Sequence, residues 1–197
     1  MAMKSTTSPK EIWQLYNEQG LPLVEQGAFK HDIFSNGLLH GAAHVWLWRA
    51  KNGSAEILLQ KRAAGKQTWP NKYDISAAGH INLGEDPLAA AIRETKEEIG
   101  LDISQSDLRL FSLQRANLMA DNGYIENEFQ WLYLLETTNE QAFNLQATEV
   151  AYLEWKTLLG FKRETLENKL KGRYVPHGDN YFSTVITAVE TVLTSAS

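Results

Sequence analysis

The sequence predicts an α/β fold in which a mixed β-sheet is sandwiched between helices and carries an N-terminal β-hairpin. Three observations predict it. Short apolar runs are bounded by turn residues, one central helix has both ends marked by residue type, and the C-terminal stretch has helical character. Strands that precede, surround and follow a strong helix bury their apolar faces best as a sheet covered on both sides. With 197 residues and 43% hydrophobic content, the chain can form one well-packed domain. The expected organisation is a polar, flexible N-terminus over 1–10 and a single domain over 11–197. Within it, 11–30 forms the hairpin extension and 156–197 the C-terminal helices.

The alternating segment from Glu11 to Tyr16, the turn residues Asn17 to Gly20, and the run Leu21 to Val24 read as the hairpin. Leu38 to Trp48 and Glu56 to Gln60 read as core strands joined through Lys51-Asn52-Gly53. Asp74 to Ala78 is a short strand running into Gly79. Asp86 is placed to cap a helix beginning at Pro87, and Gly100 stands where a left-handed residue would end it. Leu108 to Leu113 and Glu128 to Leu135 read as strands separated by a polar loop from Asn117 to Asn127. Leu153-Glu154-Trp155 leads into a charged stretch to Lys171, and Val185, Ile186, Val189 and Leu193 share one face of a helix from Phe182 to Leu193.

A net charge of −5 and a pI near 5.6 provide no positive field, so neither nucleic acid nor an anionic membrane is an expected partner. An anionic substrate would need local cations or a metal. The absence of cysteine excludes disulfides, thiolate metal sites and cysteine nucleophiles, and fits a reducing cytoplasm. The polar start and the lack of any run near 18 apolar residues predict an unexported chain without a membrane span. Association as a homodimer is left open.

Chemistry concentrates in Gly79 to Leu101. Leu88, Ala91, Ile92, Thr95 and Ile99 fall on one side of the helix, and Glu94, Glu97 and Glu98 fall together on another. Glu94 and Glu98 are four residues apart, and two such charges repel by roughly 3 kcal/mol at an effective dielectric near 20 before screening. Arg93, four before Glu97, relieves part of this. A divalent cation removes the remainder, and oxygen ligands select Mg²⁺, Mn²⁺ or Ca²⁺. Standing alone, such acids would more commonly form a solvated face.

The full spacing is Gly79, five residues, Glu85, seven residues, Arg93-Glu94, two residues, Glu97-Glu98, one residue, Gly100, Leu101. This resembles the Nudix box at every fixed Gly, Glu and Arg, with Thr95 where a larger aliphatic residue is usual. The resemblance implies a loop-helix-loop that binds Mg²⁺ or Mn²⁺ through Glu94, Glu97 and Glu98. Arg93, Glu97 and Glu98 form the catalytic set, with Glu97 or Glu98 ranked above Glu128 as general base. Arg93 and Glu85 brace the loop, and Gly79 and Gly100 serve its turns. The implied activity is hydrolysis of the diphosphate linkage in a small substrate such as a nucleoside, prenyl or thiamine diphosphate.

A weaker resemblance covers Glu11 to Trp155. The order His31, Leu39-His40-Gly41-Ala42, Ala78-Gly79-His80 and Glu126-Asn127-Glu128 is similar to isopentenyl diphosphate isomerases and their hydrolase relatives. It implies a second metal or substrate site at His40, His80, Glu126 and Glu128. In those isomerases a catalytic cysteine stands where this chain has Ala78, so the isomerase is the runner-up. A catalytically silent diphosphate-binding module and an RNA-decapping enzyme are weaker alternatives. Several residues keep two readings. His40 and His80 are either hydrogen-bonded structural histidines or ligands, and Lys61 and Arg62 either bind phosphate or form a solvated pair. Trp69 and Tyr73 either wall a pocket or pack the core, and Arg173 to Tyr181 is a candidate cover for the site.

Overall fold

The computed structural model describes residues 11–138, 140–167, 170, 172–178 and 180–195. The expected flexible segment 1–10 lies outside them, as do parts of the charged stretch to Lys171. Strands β1 (Ile12–Tyr16) and β2 (Pro22–Phe29) pair antiparallel as the hairpin, followed by a short helix α1 (Lys30–Asn36) that the sequence reading did not anticipate. The central strand β3 (His40–Lys51) returns through Asn52-Gly53, both with positive φ, into β4 (Ser54–Arg62).

β3 and β4 pair only from Trp48↔Ile57 to Lys51↔Ser54 and then part. Beyond the fork, β6 (Ala77–His80) takes over the edge of β3, while β5 (Tyr73–Asp74) and β9 (Val150–Thr157) flank β4. Fully buried Ser76 sits at the divergence, where its Oγ accepts from Leu47 N at 2.9 Å and donates to Leu58 O at 2.6 Å. The stretch expected as one strand is therefore two short strands on different partners, because the fork separates the strands they join.

On its other edge β3 runs parallel to β8 (Ile125–Glu136), from His40↔Glu128 through Trp48↔Glu136, and β8 pairs antiparallel with β7 (Leu108–Met119). The polar loop expected over 117–127 is mostly this hairpin. Asn117↔Asn127 and Leu118↔Glu126 are rungs of the ladder, and Glu126 faces a cavity. The segment from Val150 is likewise a strand, so Lys156 and Thr157 belong to β9 rather than to C-terminal helices.

Alternate residues of the buried strands serve two cores. Val45, Leu47 and Leu58 face helix α2 (Pro87–Ile99), with Ala91 and Ile99 in the same cluster. Trp46, Trp48, Ile57 and Leu59 face α3 (Leu158–Lys162) and α4 (Tyr181–Ser195), packing with Phe161, Tyr181 and Val185. Near-continuous apolar strands are what a sheet covered on both faces requires. No helix among the described residues is long and apolar enough to cross a membrane.

Candidate functional site

The fork in the sheet opens into a cavity of about 450 Å³ lined by β3, β6, α2, β8 and the loops beside them. On α2, Asp86 caps by accepting Leu88 N, Pro87 opens the first turn, and Gly100 closes the helix at φ 74. A Cβ on Gly100 would lie 2.6 Å from Asn144 Cβ, so the turn and its close neighbour both require glycine. The requirement at Gly79 is steric. A Cβ there would lie 2.0 Å from Glu94 Cδ, because the Glu94 carboxylate rests directly on the strand backbone.

Arg93 fastens this arrangement. It donates to both Glu85 oxygens at 2.8 Å, to Glu94 at 2.6 Å, to Glu97 at 3.2 Å and to the His80 carbonyl at 2.9 Å. Its donors are thus engaged in tying the 80–85 loop to the helix. Glu98, buried at the margin of the core face, accepts Ala78 N at 3.0 Å and Gln60 Nε2 at 3.1 Å. Burial first, and then the charge of Glu94, push its pKa up to about 8. Glu94 is pushed up to about 7 by burial, against the opposing pull of Arg93. Glu97 is the exposed member, and all three acids line the cavity.

A second cluster meets the cavity through His80 and Glu128, with its third member His40 fully buried. Ligand atoms of His40, His80 and Glu128 all lie within 4.8 Å of one another. Glu128 Oε2 stands 3.4 Å from His40 Nε2 and 3.9 Å from His80 Nε2, and Trp13 stacks on His80 at 3.5 Å between centroids. His40 Nδ1 lies 2.9 Å from the Leu38 carbonyl, which can only accept, so Nδ1 bears the ring proton. In the neutral ring Nε2 then turns a lone pair toward a carboxylate, and this buried nitrogen has no hydrogen-bond partner. Burial and the neighbouring His40 hold the His80 pKa well below its usual value. Burial works to raise Glu128, but protonated histidines around it, with His40 as hydrogen-bond donor foremost, hold it well below the usual range when no cation takes their place. A partnerless imidazole nitrogen, a second imidazole and a carboxylate, with ligand atoms within 4.8 Å of one another, fit a divalent cation.

The remaining candidates divide between those that reach the cavity and those that do not. Glu126 lines the cavity beside Glu128. His31 does not join the cluster; it is exposed on α1 beside Asp32. Lys61 does not reach the cavity either, because strand alternation turns its ammonium over the Tyr73 ring at 4.4 Å. Arg62 does line it, but its guanidinium is committed to Asp74 at 2.8 Å and to the carbonyls of Trp69 and Thr68 at 3.1 and 2.9 Å. A phosphate role for Lys61 therefore lacks its geometry, while Arg62 reaches the cavity with its donors already engaged. The cavity's lysines are Lys30 and Lys66, which the sequence reading missed. Lys66, paired with Glu149, is in a loop, and Lys30 is on the unanticipated helix. Trp69 walls the cavity, whereas Tyr73 hydrogen-bonds Tyr152 and Glu154 away from it. Val175 and His177 of the C-terminal segment form wall, with His177 Nε2 2.7 Å from Asp74 Oδ1; position 179 lies outside the described residues.

Comparison with known proteins agrees with this architecture. The family model described as NUDIX domain matches residues 38–177. A Nudix hydrolase of Listeria innocua is 32% identical over 169 residues, covering 85% of this chain and 89% of the relative. An isopentenyl-diphosphate Delta-isomerase of Escherichia coli is 32% identical over 152 residues, covering 76% and 78%. Nudix hydrolase 3 of Arabidopsis thaliana is 31% identical over 153 residues, which are 76% of this chain and 19% of that longer protein. Among solved structures, a Deinococcus radiodurans protein superposes with a TM-score of 0.65 at 18% identity, covering 89% of this chain and 98% of that one. A family match over more than half of its length, close relatives along most of it and the same fold together place this chain in the Nudix hydrolase family.

Proposed function

We propose that the chain hydrolyses the diphosphate linkage of a small substrate with Mg²⁺ or Mn²⁺. The reading rests on one observation: the box carboxylates, together with His80 and Glu128 of the His40–His80–Glu128 cluster, line the same cavity as Lys30 and Lys66. Glu94, Glu97 and Glu98 are the proposed ligands on the helix side, and His40, His80 and Glu128 those on the strand side. A bound divalent cation would neutralise diphosphate charge and lower the pKa of the attacking water. Lys30 and Lys66 attract the terminal phosphate, Arg93 and Glu85 hold the loop, and Glu97 or Glu98 accepts the proton of the water. We also propose a cytoplasmic location, with which a chain free of cysteine is compatible.

Likeness to isopentenyl-diphosphate isomerases supports isomerisation as a second reading. Ala78 stands against it, since a methyl group on the cavity wall cannot exchange a proton. The test is a panel of nucleoside, prenyl and thiamine diphosphates, following phosphate release with Mg²⁺, with Mn²⁺ and in excess chelator. Turnover should require the cation and rise toward alkaline pH. Undiminished turnover in chelator would refute the proposal.

A further inference from the structure

Three histidines surround Glu128, yet only two of them face its Oε2. The third, His44, lies on the same face of β3 as His40, with its Nε2 3.9 Å from the other oxygen, Oε1. That oxygen also accepts Gln130 Nε2 at 2.8 Å. His44 Nδ1 is 2.7 Å from the Tyr181 hydroxyl, and the same hydroxyl receives Trp46 Nε1 at 3.1 Å. An indole nitrogen can only donate, so the Tyr181 oxygen is the acceptor from Trp46. Among the described residues, His44 Nδ1 is then the acceptor left for the hydroxyl proton. All three side chains are buried, where a stranded O–H would carry its full desolvation cost. Nδ1 of His44 is therefore the accepting nitrogen, and its ring proton resides on Nε2.

His40 has the opposite arrangement. Its Nδ1 faces a carbonyl that can only accept, which leaves the lone pair on Nε2. Two histidines four residues apart on one strand thus hold opposite tautomers, each set by its other partner. The difference determines what each presents to Glu128: His40 a lone pair, His44 an N–H.

We propose that Trp46, Tyr181 and His44 form a proton-ordering relay in which Tyr181 fixes His44 with its proton on Nε2, aimed at Glu128 Oε1. Together with Gln130 this engages Oε1 and leaves Oε2 turned to His40 and His80. At 3.9 Å the His44 contact is a charge–dipole attraction rather than a hydrogen bond. Tyr181 and His44 are accordingly positioning residues for Glu128. The consequence for cation binding rests on the proposed role of His40, His80 and Glu128; the tautomers do not.

The experiment uses the full chain with ¹⁵N-labelled histidine, free of metal, and reads long-range ¹H–¹⁵N correlations of the rings. The expected result is an Nε2–H ring with an unprotonated Nδ1 for His44, and a proton on Nδ1 of His40. Tyr181→Phe should abolish the Nε2–H preference of His44 and weaken Mn²⁺ binding about 10- to 100-fold, the range typical of partners that orient metal ligands. Trp46→Phe, which frees the Tyr181 oxygen to accept from His44 instead, should weaken the Nε2–H preference of His44 without abolishing it. Should Tyr181→Phe not fold, His44→Gln and His44→Leu provide the same comparison, with Gln restoring an N–H and Mn²⁺ affinity and Leu losing both. An Nδ1–H ring at His44 in the native chain would overturn the relay. So would a Tyr181→Phe protein with native tautomer and affinity, or equal affinity in the Gln and Leu variants. Mn²⁺ binding indifferent to His80→Ala would instead remove the cation reading, while the ring correlations still decide the relay.

Discussion

At the scale of residues, the box glutamates differ in surroundings, and the proposed function gives them separate tasks accordingly. Glu94 lies on Gly79 against Arg93, Glu98 is buried against Ala78 N and Gln60, and Glu97 is open to solvent. Glu97→Gln or Glu98→Gln should lower turnover by about 10² or more with the fold intact, the scale of lost general-base assistance. Glu94→Gln should chiefly weaken metal affinity. Steady-state rates at saturating Mg²⁺, beside circular dichroism, check this, and near-native rates in both the Glu97 and Glu98 variants would contradict the assignment. Asp74 is a separate case. Burial would raise its carboxyl, but His177, then Arg62 and the Ile75 amide, hold it well below the usual carboxylate range. A depressed carboxylate contributes stability that is complete above its unfolded pKa near ~4 and is lost as pH falls toward the folded value. Unfolding free energy should therefore decline below about pH 4. Asp74→Asn should flatten that decline and cost about 3 kcal/mol at neutral pH, since Arg62 loses a buried partner. Urea titrations across pH measure both effects.

At the scale of elements, the fork between β3 and β4 creates the cavity, and Ser76 satisfies the backbone groups where the ladder stops. Ser76→Ala leaves the Leu47 N–H buried without its acceptor and should cost about 1–3 kcal/mol. Chemical denaturation checks it, and an unchanged midpoint would show that the strands close the gap without the hydroxyl. Helix α2 was legible to the residue because its signals are local: an Asp cap, Pro at the first turn and a left-handed Gly. The β7–β8 hairpin was not, because polar residues facing a cavity resemble a loop when only neighbours in sequence are considered. β9 was missed for a related reason. Its alternation of charged and apolar residues becomes a strand only against β4, about ninety residues earlier in the chain.

At the scale of the whole molecule, the proposed hydrolase reading and the likeness to isomerases diverge at Ala78, whose methyl group offers no exchangeable proton. Moving a double bond requires a proton added on one side and removed on the other. Incubation with isopentenyl diphosphate in deuterated water should leave the carbon skeleton free of deuterium, even if the compound is bound or hydrolysed. Mass spectrometry of the recovered prenyl chain is the readout. Enzyme-dependent label would mean that another group has taken over the role.

The sequence by itself determined the Nudix box, its helix and caps, the mixed sheet between helices, and the glutamates, since each is a local spacing written within some twenty residues or a period of the chain. Only the tertiary structure decided which side chains share the cavity. It brought Lys30, Lys66 and His177 to the wall, turned Lys61 away by strand alternation, and left His31 in solvent. It also set His44 against Tyr181, which is 137 residues distant. The physical reason is that convergence depends on strand register and on the fork between β3 and β4. Both are fixed by packing two cores against opposite faces of one sheet, and no short stretch of sequence contains them.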